Sequence, residues 1–116
     1  MTTPVLALNL FSALSFFGFG VACLSTRAMR LEFARYGLSP YRAMTGWLQL
    51  AGATGLLLGI WFPAAGFSAA LGLSMQMLAG VGVRIRIRDK WYQCVPATFY
   101  CILNAGLVCA FWFRSV

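Results

Sequence analysis

The sequence predicts an all-α fold: a four-transmembrane-helix antiparallel bundle with a short interfacial helix between helices 1 and 2, one transmembrane domain over residues 1–116. Three observations predict it. Four long apolar stretches fill most of the chain, no charged residue interrupts them, and eight of the nine Lys and Arg residues fall in two connecting segments. Charged residues make up 9% of the chain, against roughly 25% in a soluble domain, so lipid is the expected solvent for most of the surface.

The first span runs over about residues 4–24, the second over 45–62, the third over 64–83 and the fourth over 94–113. Each is close to the roughly 20 helical residues that cross a 30 Å hydrocarbon core. Strands would need the alternating pattern of a barrel, which these runs lack. The first stretch has no basic flank of the kind that precedes a secretory signal, so it reads as a span.

Between spans one and two, Met29, Phe33 and Tyr36 recur at helical spacing. They predict a short amphipathic helix at the headgroups that ends at Gly37. Ser39-Pro40 then offers a start for the next helix ahead of its apolar part. Spans two and three are separated by little more than Trp61-Phe62-Pro63, which predicts a tight hairpin broken by the missing amide of Pro63. Ala51, Gly55 and Gly59 on span two, and Gly66, Ala70 and Ser74 on span three, recur every four residues. Small residues on facing stripes let backbones approach closely, so these six are the expected helix seam. The same stripe offers a surface for homo-oligomers. The last connection, Arg84 to Gln93, alternates Arg84, Arg86 and Arg88 with Ile85 and Ile87, too short a run to define a strand.

With an even number of spans both basic connections lie on one side, and only Arg114 lies on the other. The positive-inside rule makes that basic side cytoplasmic and places both termini outside. Tyr36, Tyr41, Trp47, Trp91 and Tyr92 then belong to the inner interface, Trp61 and Trp112 to the outer. The net charge of +7 is thereby assigned to anionic headgroups, which attract each juxtamembrane basic residue by about 1 kcal/mol, and nucleic acid is not an expected partner.

The chemistry-bearing residues are few. There is no His, and only Glu32 and Asp89 are acidic, both among arginines that favour ion pairing over proton donation. The spans contain no ionisable residue of the sort that marks an ion or proton path. Cys23, Cys94, Cys101 and Cys109 form no CxxC pair and read as apolar packing. No catalytic residue, metal site or cofactor is expected. What remains is neutral and polar: Asn9, Ser12 and Ser15 in span one, Gln49 and Thr54 in span two, Gln76 in span three, Thr98 and Asn104 in span four. Gln49 and Gln76 fall roughly 6 and 10 Å below the cytoplasmic ends. With Asn104 they are candidate intramembrane polar contacts, as interhelical hydrogen bonds or as the wall of a polar pocket.

One longer pattern adds to this. The order Glu32-Phe33-Ala34-Arg35-Tyr36-Gly37-Leu38, Arg42, Thr45-Gly46-Trp47-Leu48-Gln49-Leu50-Ala51-Gly52-Ala53, Gly55-Leu56-Leu57-Leu58-Gly59, Pro63, Val83-Arg84-Ile85-Arg86-Ile87-Arg88-Asp89, Pro96 and Asn104 resembles the DoxX-like family of small four-helix membrane proteins, over roughly residues 10–112. The resemblance implies a bundle in a bacterial cytoplasmic membrane and puts Glu32, Arg35, Gln49, Arg84, Arg86 and Asp89 at characteristic positions. It implies no shared catalytic residue. Members are linked to a thiosulfate:quinone oxidoreductase subunit, to redox-associated membrane complexes and to assembly. The expected function is therefore a non-catalytic accessory, assembly or interaction subunit of a membrane complex; the alternative is a membrane subunit of a quinone-linked oxidoreductase, with quinone as its ligand. Because both connections share one interface, they are expected to dock through Glu32 with Arg84 or Arg86 and through Asp89 with Arg35.

Overall fold

The computed structural model describes residues 2–115, side chains through Arg114. Among these residues the secondary structure is entirely helical: α1 (Thr3–Ser25), α2 (Arg27–Tyr36), α3 (Arg42–Leu58), α4 (Pro63–Arg86) and α5 (Val95–Ser115), with single 3-10 turns at Ser39–Tyr41 and Trp91–Gln93. Three of them, α1, α4 and α5, are long and apolar enough to cross a membrane.

The second predicted span is corrected in its bounds. Its helix α3 starts three residues early, at Arg42, and stops at Leu58, not Phe62. At 17 residues it is about 25 Å long, short of a 30 Å core. The early start follows from Pro40, which presets a 3-10 turn that feeds the helix. The early stop follows from Gly59 to Phe62, which turn back before Pro63 opens α4 at its first position. Arg114 fixes that turn from α5: its Nη1 donates to Gly59 O at 2.5 Å and its Nη2 to Ile60 O. The lone basic residue of this end is thus a cation at the C-terminus of α3, where the helix dipole favours one.

The four long helices close into a ring in which α1 packs on α3, α3 on α4, α4 on α5 and α5 on α1. Each neighbouring pair runs antiparallel, as paired residues show: Asn9 with Leu56 and Cys23 with Gln49, Gly59 with Gly66 and Gly52 with Leu73, Gly66 with Phe111 and Ser74 with Cys101. The core is a column of Ala13, Phe16, Ala53, Leu56, Ala70, Leu73, Leu107 and Phe111. Outside it the helices display large apolar side chains, among them Leu14, Leu48, Leu78 and Ile102, each more than half exposed. Such a surface suits acyl chains and not water. The molecule measures 42 × 26 × 18 Å, and its long axis matches the roughly 40–45 Å of a bilayer with headgroups.

The seam between α3 and α4 differs in register from the strict every-fourth stripe. Gly55 faces Ala65 and Ala69, Gly52 faces Leu73, and Gly59 meets both Gly66 and Phe111. Ala51 is exposed, Ala70 is buried in the core, and Ser74 turns to α5, where its hydroxyl donates to Cys101 O at 3.0 Å. A helix turns 400° in four residues, so a stripe of period four rotates off the seam; alternating steps of three and four, as in Gly52, Gly55 and Gly59, stay on it. A second close approach joins α1 to α3, where Gly20 sits against Gly46 and Leu50.

Candidate functional site

Two helix ends build the site at the basic end of the ring. Thr26 caps α2, its Oγ1 accepting from Met29 N at 3.3 Å, and Gly37 ends it in the left-handed conformation with φ 75°. These stops leave a ten-residue helix whose Met29, Phe33 and Tyr36 lie on one face, which lines the bundle interior. The face expected at the headgroups therefore covers a cavity. Opposite, α4 runs past Val83 to Arg86, so Arg84 and Arg86 stand on its last turn and not in a loop; cations are favoured there by the helix dipole. Arg88 then adopts φ 59°, and Asp89 N donates back to Arg84 O at 2.9 Å. This left-handed C-terminal turn brings the Asp89 carboxylate over Arg84.

An ion cluster ties the two ends together. Arg35 donates from Nη1 to Asp89 Oδ1 at 2.5 Å and from Nη2 to Glu32 Oε2 at 2.7 Å; Arg84 Nη1 lies 3.2 Å from Asp89 Oδ2. Tyr36 donates its hydroxyl to Glu32 at 3.0 Å, and its ring lies beneath both guanidinium groups, 5.3 Å from Arg35 and 5.5 Å from Arg84. The structure thus brings Asp89 to Arg35, whereas Glu32 bonds Arg35 rather than Arg84 or Arg86. The reason is distance along the chain: Glu32 and Arg35 are one helical turn apart on α2 and meet without ordering anything else. Arg86 is exposed and makes none of the ion pairs among the described residues.

The charges follow from this geometry. Hydrogen bonds from Arg35 hold both the Glu32 and the Asp89 carboxyls below the usual carboxylate range, and the same bonds to Asp89 and Glu32 raise the Arg35 guanidinium. Burial, with the bond to Glu32, pushes the Tyr36 phenol up to about 12. At neutral pH the cluster is two carboxylates, two guanidinium groups and a neutral phenol.

Beneath it lies a cavity of about 310 Å³, lined mainly by apolar groups of all five helices, including Phe19, Phe33, Met77, Val83 and Tyr100, together with Gln49 and Gln76. Gln49 is buried and its Oε1 accepts from Cys23 Sγ at 3.6 Å. Gln76 Nε2 donates to Thr45 O at 3.3 Å, while its Oε1 is buried without a partner. The two amides share the cavity and are not bonded to each other.

Asn104 sits elsewhere, in a network between α1 and α5: it accepts from Ser12 Oγ at 2.9 Å and donates to Tyr100 O at 2.8 Å, and Tyr100 donates to Ser15 Oγ at 3.1 Å. Two features escaped sequence reasoning. Tyr36 reads as an interface aromatic, although its position one turn after Glu32 was the available signal. Arg42, which donates to Cys23 O at 2.6 Å and so caps α1, reads as one more loop charge.

An apolar-walled helical ring with its charge gathered at one end defines an integral membrane protein. A family model described as the DoxX-like family matches residues 7–107, and the chain belongs to that family. No curated protein and no solved structure matches it.

Proposed function

We propose that the chain is a four-span protein of a bacterial cytoplasmic membrane, with both termini outside, and that it serves as a non-catalytic accessory, assembly or interaction subunit of a membrane complex. On this reading α3 spans with its 3-10 entry, and the short helix is accommodated by local thinning or by the polar residues at its ends. The observation that carries the non-catalytic reading is the chemistry of the cavity wall. Its polar groups are the amides of Gln49 and Gln76, the hydroxyl of Thr45, the phenol of Tyr36, a guanidinium, Arg84, and the thiol of Cys23, which is buried and engaged with Gln49 Oε1 without a neighbouring base among the described residues. Amides do not exchange protons near neutral pH, so they hold and orient a molecule rather than transform it. The cavity gives a complex a bound small molecule or a cavity-braced scaffold. The exposed Arg27, Arg30, Arg86 and Arg88 face anionic headgroups. The partners are other membrane subunits or a second copy of the chain.

A second reading, a membrane subunit of a quinone-linked oxidoreductase, is favoured by the same cavity, since amide N–H groups donate to quinone carbonyls. Purification in native lipid separates the two. A stoichiometric protein partner without extractable quinone supports the accessory subunit; quinone retained in proportion to the chain supports the second reading.

A further inference from the structure

Thr45, Gln76 and Ala79 line the inner cavity and also an open groove of about 740 Å³ on the outer face of α3 and α4. The two spaces are therefore separated at this point by a wall one side chain thick. Among the described residues the hydrogen bond that crosses the wall is Gln76 Nε2 to Thr45 O at 3.3 Å, beyond the usual 2.7–3.2 Å of an N–H···O bond. Toward the aqueous end the same cavity is closed by the Arg35–Asp89 pair, which joins α2 to the end of α4 at 2.5 Å. Opening on the membrane side breaks one neutral bond, whereas opening on the aqueous side breaks the two charge-assisted bonds from Arg35 to Asp89, each roughly twice as strong.

We infer that the cavity takes a membrane-dissolved molecule with an apolar body and a hydroxyl group, which enters sideways from the bilayer between α3 and α4 at Thr45, Gln76 and Ala79 and donates its hydroxyl to Gln76 Oε1. The inference rests on the proposed reading that α3 and α4 face lipid. The apolar body follows from the wall, and the hydroxyl from the unpartnered acceptor: a buried acceptor left without a donor is destabilising, and a bound hydroxyl satisfies it. A ligand with acceptors alone leaves Gln76 Oε1 unsatisfied. The groove is open at Gly72, where a side-chain carbon would meet no atom within 4 Å, whereas at Gly52 and Gly55 α3 and α4 are in close contact.

The test uses the full chain in phospholipid vesicles and a diazirine-bearing octanol as photoprobe, with labelled positions read by mass spectrometry. Labelling of the outer residues Leu78 and Ile102 reports lipid contact by itself. If they are not labelled, the membrane-spanning reading fails; if they are labelled and the cavity residues Met77 and Tyr100 are not, the cavity inference alone fails. The expected result is cavity labelling that plain octanol displaces and octyl methyl ether displaces about five- to tenfold less well, the loss set by one hydrogen bond. Equal displacement by the ether overturns recognition of the hydroxyl, and this arm needs no variant. Gln76→Leu removes the same preference. Ala79→Phe slows cavity labelling, while Leu78→Phe, on the exposed face, does not. Unchanged kinetics in Ala79→Phe overturn lateral entry.

Discussion

Arg35 and Asp89, 54 residues apart, meet at 2.5 Å and latch α2 to the end of α4. The side chain of Asp89 is 6% exposed and that of Arg35 is 39%, so the pair is a half-buried contact and not a surface decoration. Arg35→Gln and Asp89→Asn are each expected to lower the melting temperature in detergent by several degrees. The double variant should lose less than the sum of the two singles, because both break the Arg35–Asp89 contact while Arg35 also loses Glu32 and Asp89 also loses Arg84. Fully additive losses would mean that the two side chains act independently.

The latch also sets an acid limit. Asp89 and Glu32 both titrate below their ordinary values because Arg35 hydrogen-bonds their charged forms. Their contribution to stability is therefore complete above the ordinary carboxylate range, near pH 4, and disappears as pH falls through the depressed values. Tyr36 sets the opposite limit: its phenol is raised from 10.0 to about 12, so its contribution is complete below pH 10 and is lost as pH rises between those values. Melting curves across pH should show Arg35→Gln flattening the acid limb and Tyr36→Phe the alkaline limb. An alkaline limb unchanged by Tyr36→Phe would contradict the burial of that phenol.

The extent of what was legible follows from the kind of signal. Apolar runs and breakers are local, so α1, α2, α4 and α5 lie within a few residues of their expected bounds, and Gly37 ends α2 where it should. The turn after α3 is also held by Arg114, which reaches Gly59 O from 55 residues away; no local pattern carries that contact. Which positions face a neighbouring helix is not a local property. Spacing identified which residues are small, but only packing decides that Gly52 faces α4 while Ala51 faces out. The cavity needed α2 folded over the ring, a tertiary fact with only Met29, Phe33 and Tyr36 to hint at it.

The glycine contacts can be ranked. A side-chain carbon added at Gly66 would approach the Phe111 ring closer than 3.0 Å, whereas at Gly72 it would meet nothing within 4 Å. Gly66→Ala must displace a fully buried ring and should destabilise by about 1–3 kcal/mol, the usual cost of overpacking. Gly72→Ala should be neutral or stabilise by up to about 0.5–1 kcal/mol through backbone entropy. Melts that rank the two variants the other way would contradict the packing of α3, α4 and α5 around Phe111.

Arg88 is the sole non-glycine residue with positive φ among the described residues, at 59°. That conformation crowds its Cβ against the carbonyl, a strain of roughly 1–2 kcal/mol that glycine lacks. Arg88→Gly should therefore raise the melting temperature, and Arg88→Val, β-branched and worse suited, should lower it. The reverse order in melts would mean that the Arg88 side chain contributes more through headgroup contact than its backbone costs.

The orientation in the membrane follows from where the basic residues stand and what engages them. Of the nine Lys and Arg residues only Arg114 lies at the end opposite α2, and its guanidinium is engaged by the carbonyls of Gly59 and Ile60. It is a cap, compensated by the dipole of α3, whereas Arg27, Arg30, Arg86 and Arg88 stand exposed at the other end. The effective bias is therefore steeper than the count of basic residues, and the α2 end should be retained in the cytoplasm. A reporter active only outside the cytoplasm, fused at the C-terminus, should be active; one active only inside should be silent there and active when inserted at Pro40. Reversing the signs of Arg27 and Arg30 should produce a mixed population, since two of the exposed charges that hold the orientation are then inverted. A C-terminal fusion active in the cytoplasm would overturn the orientation.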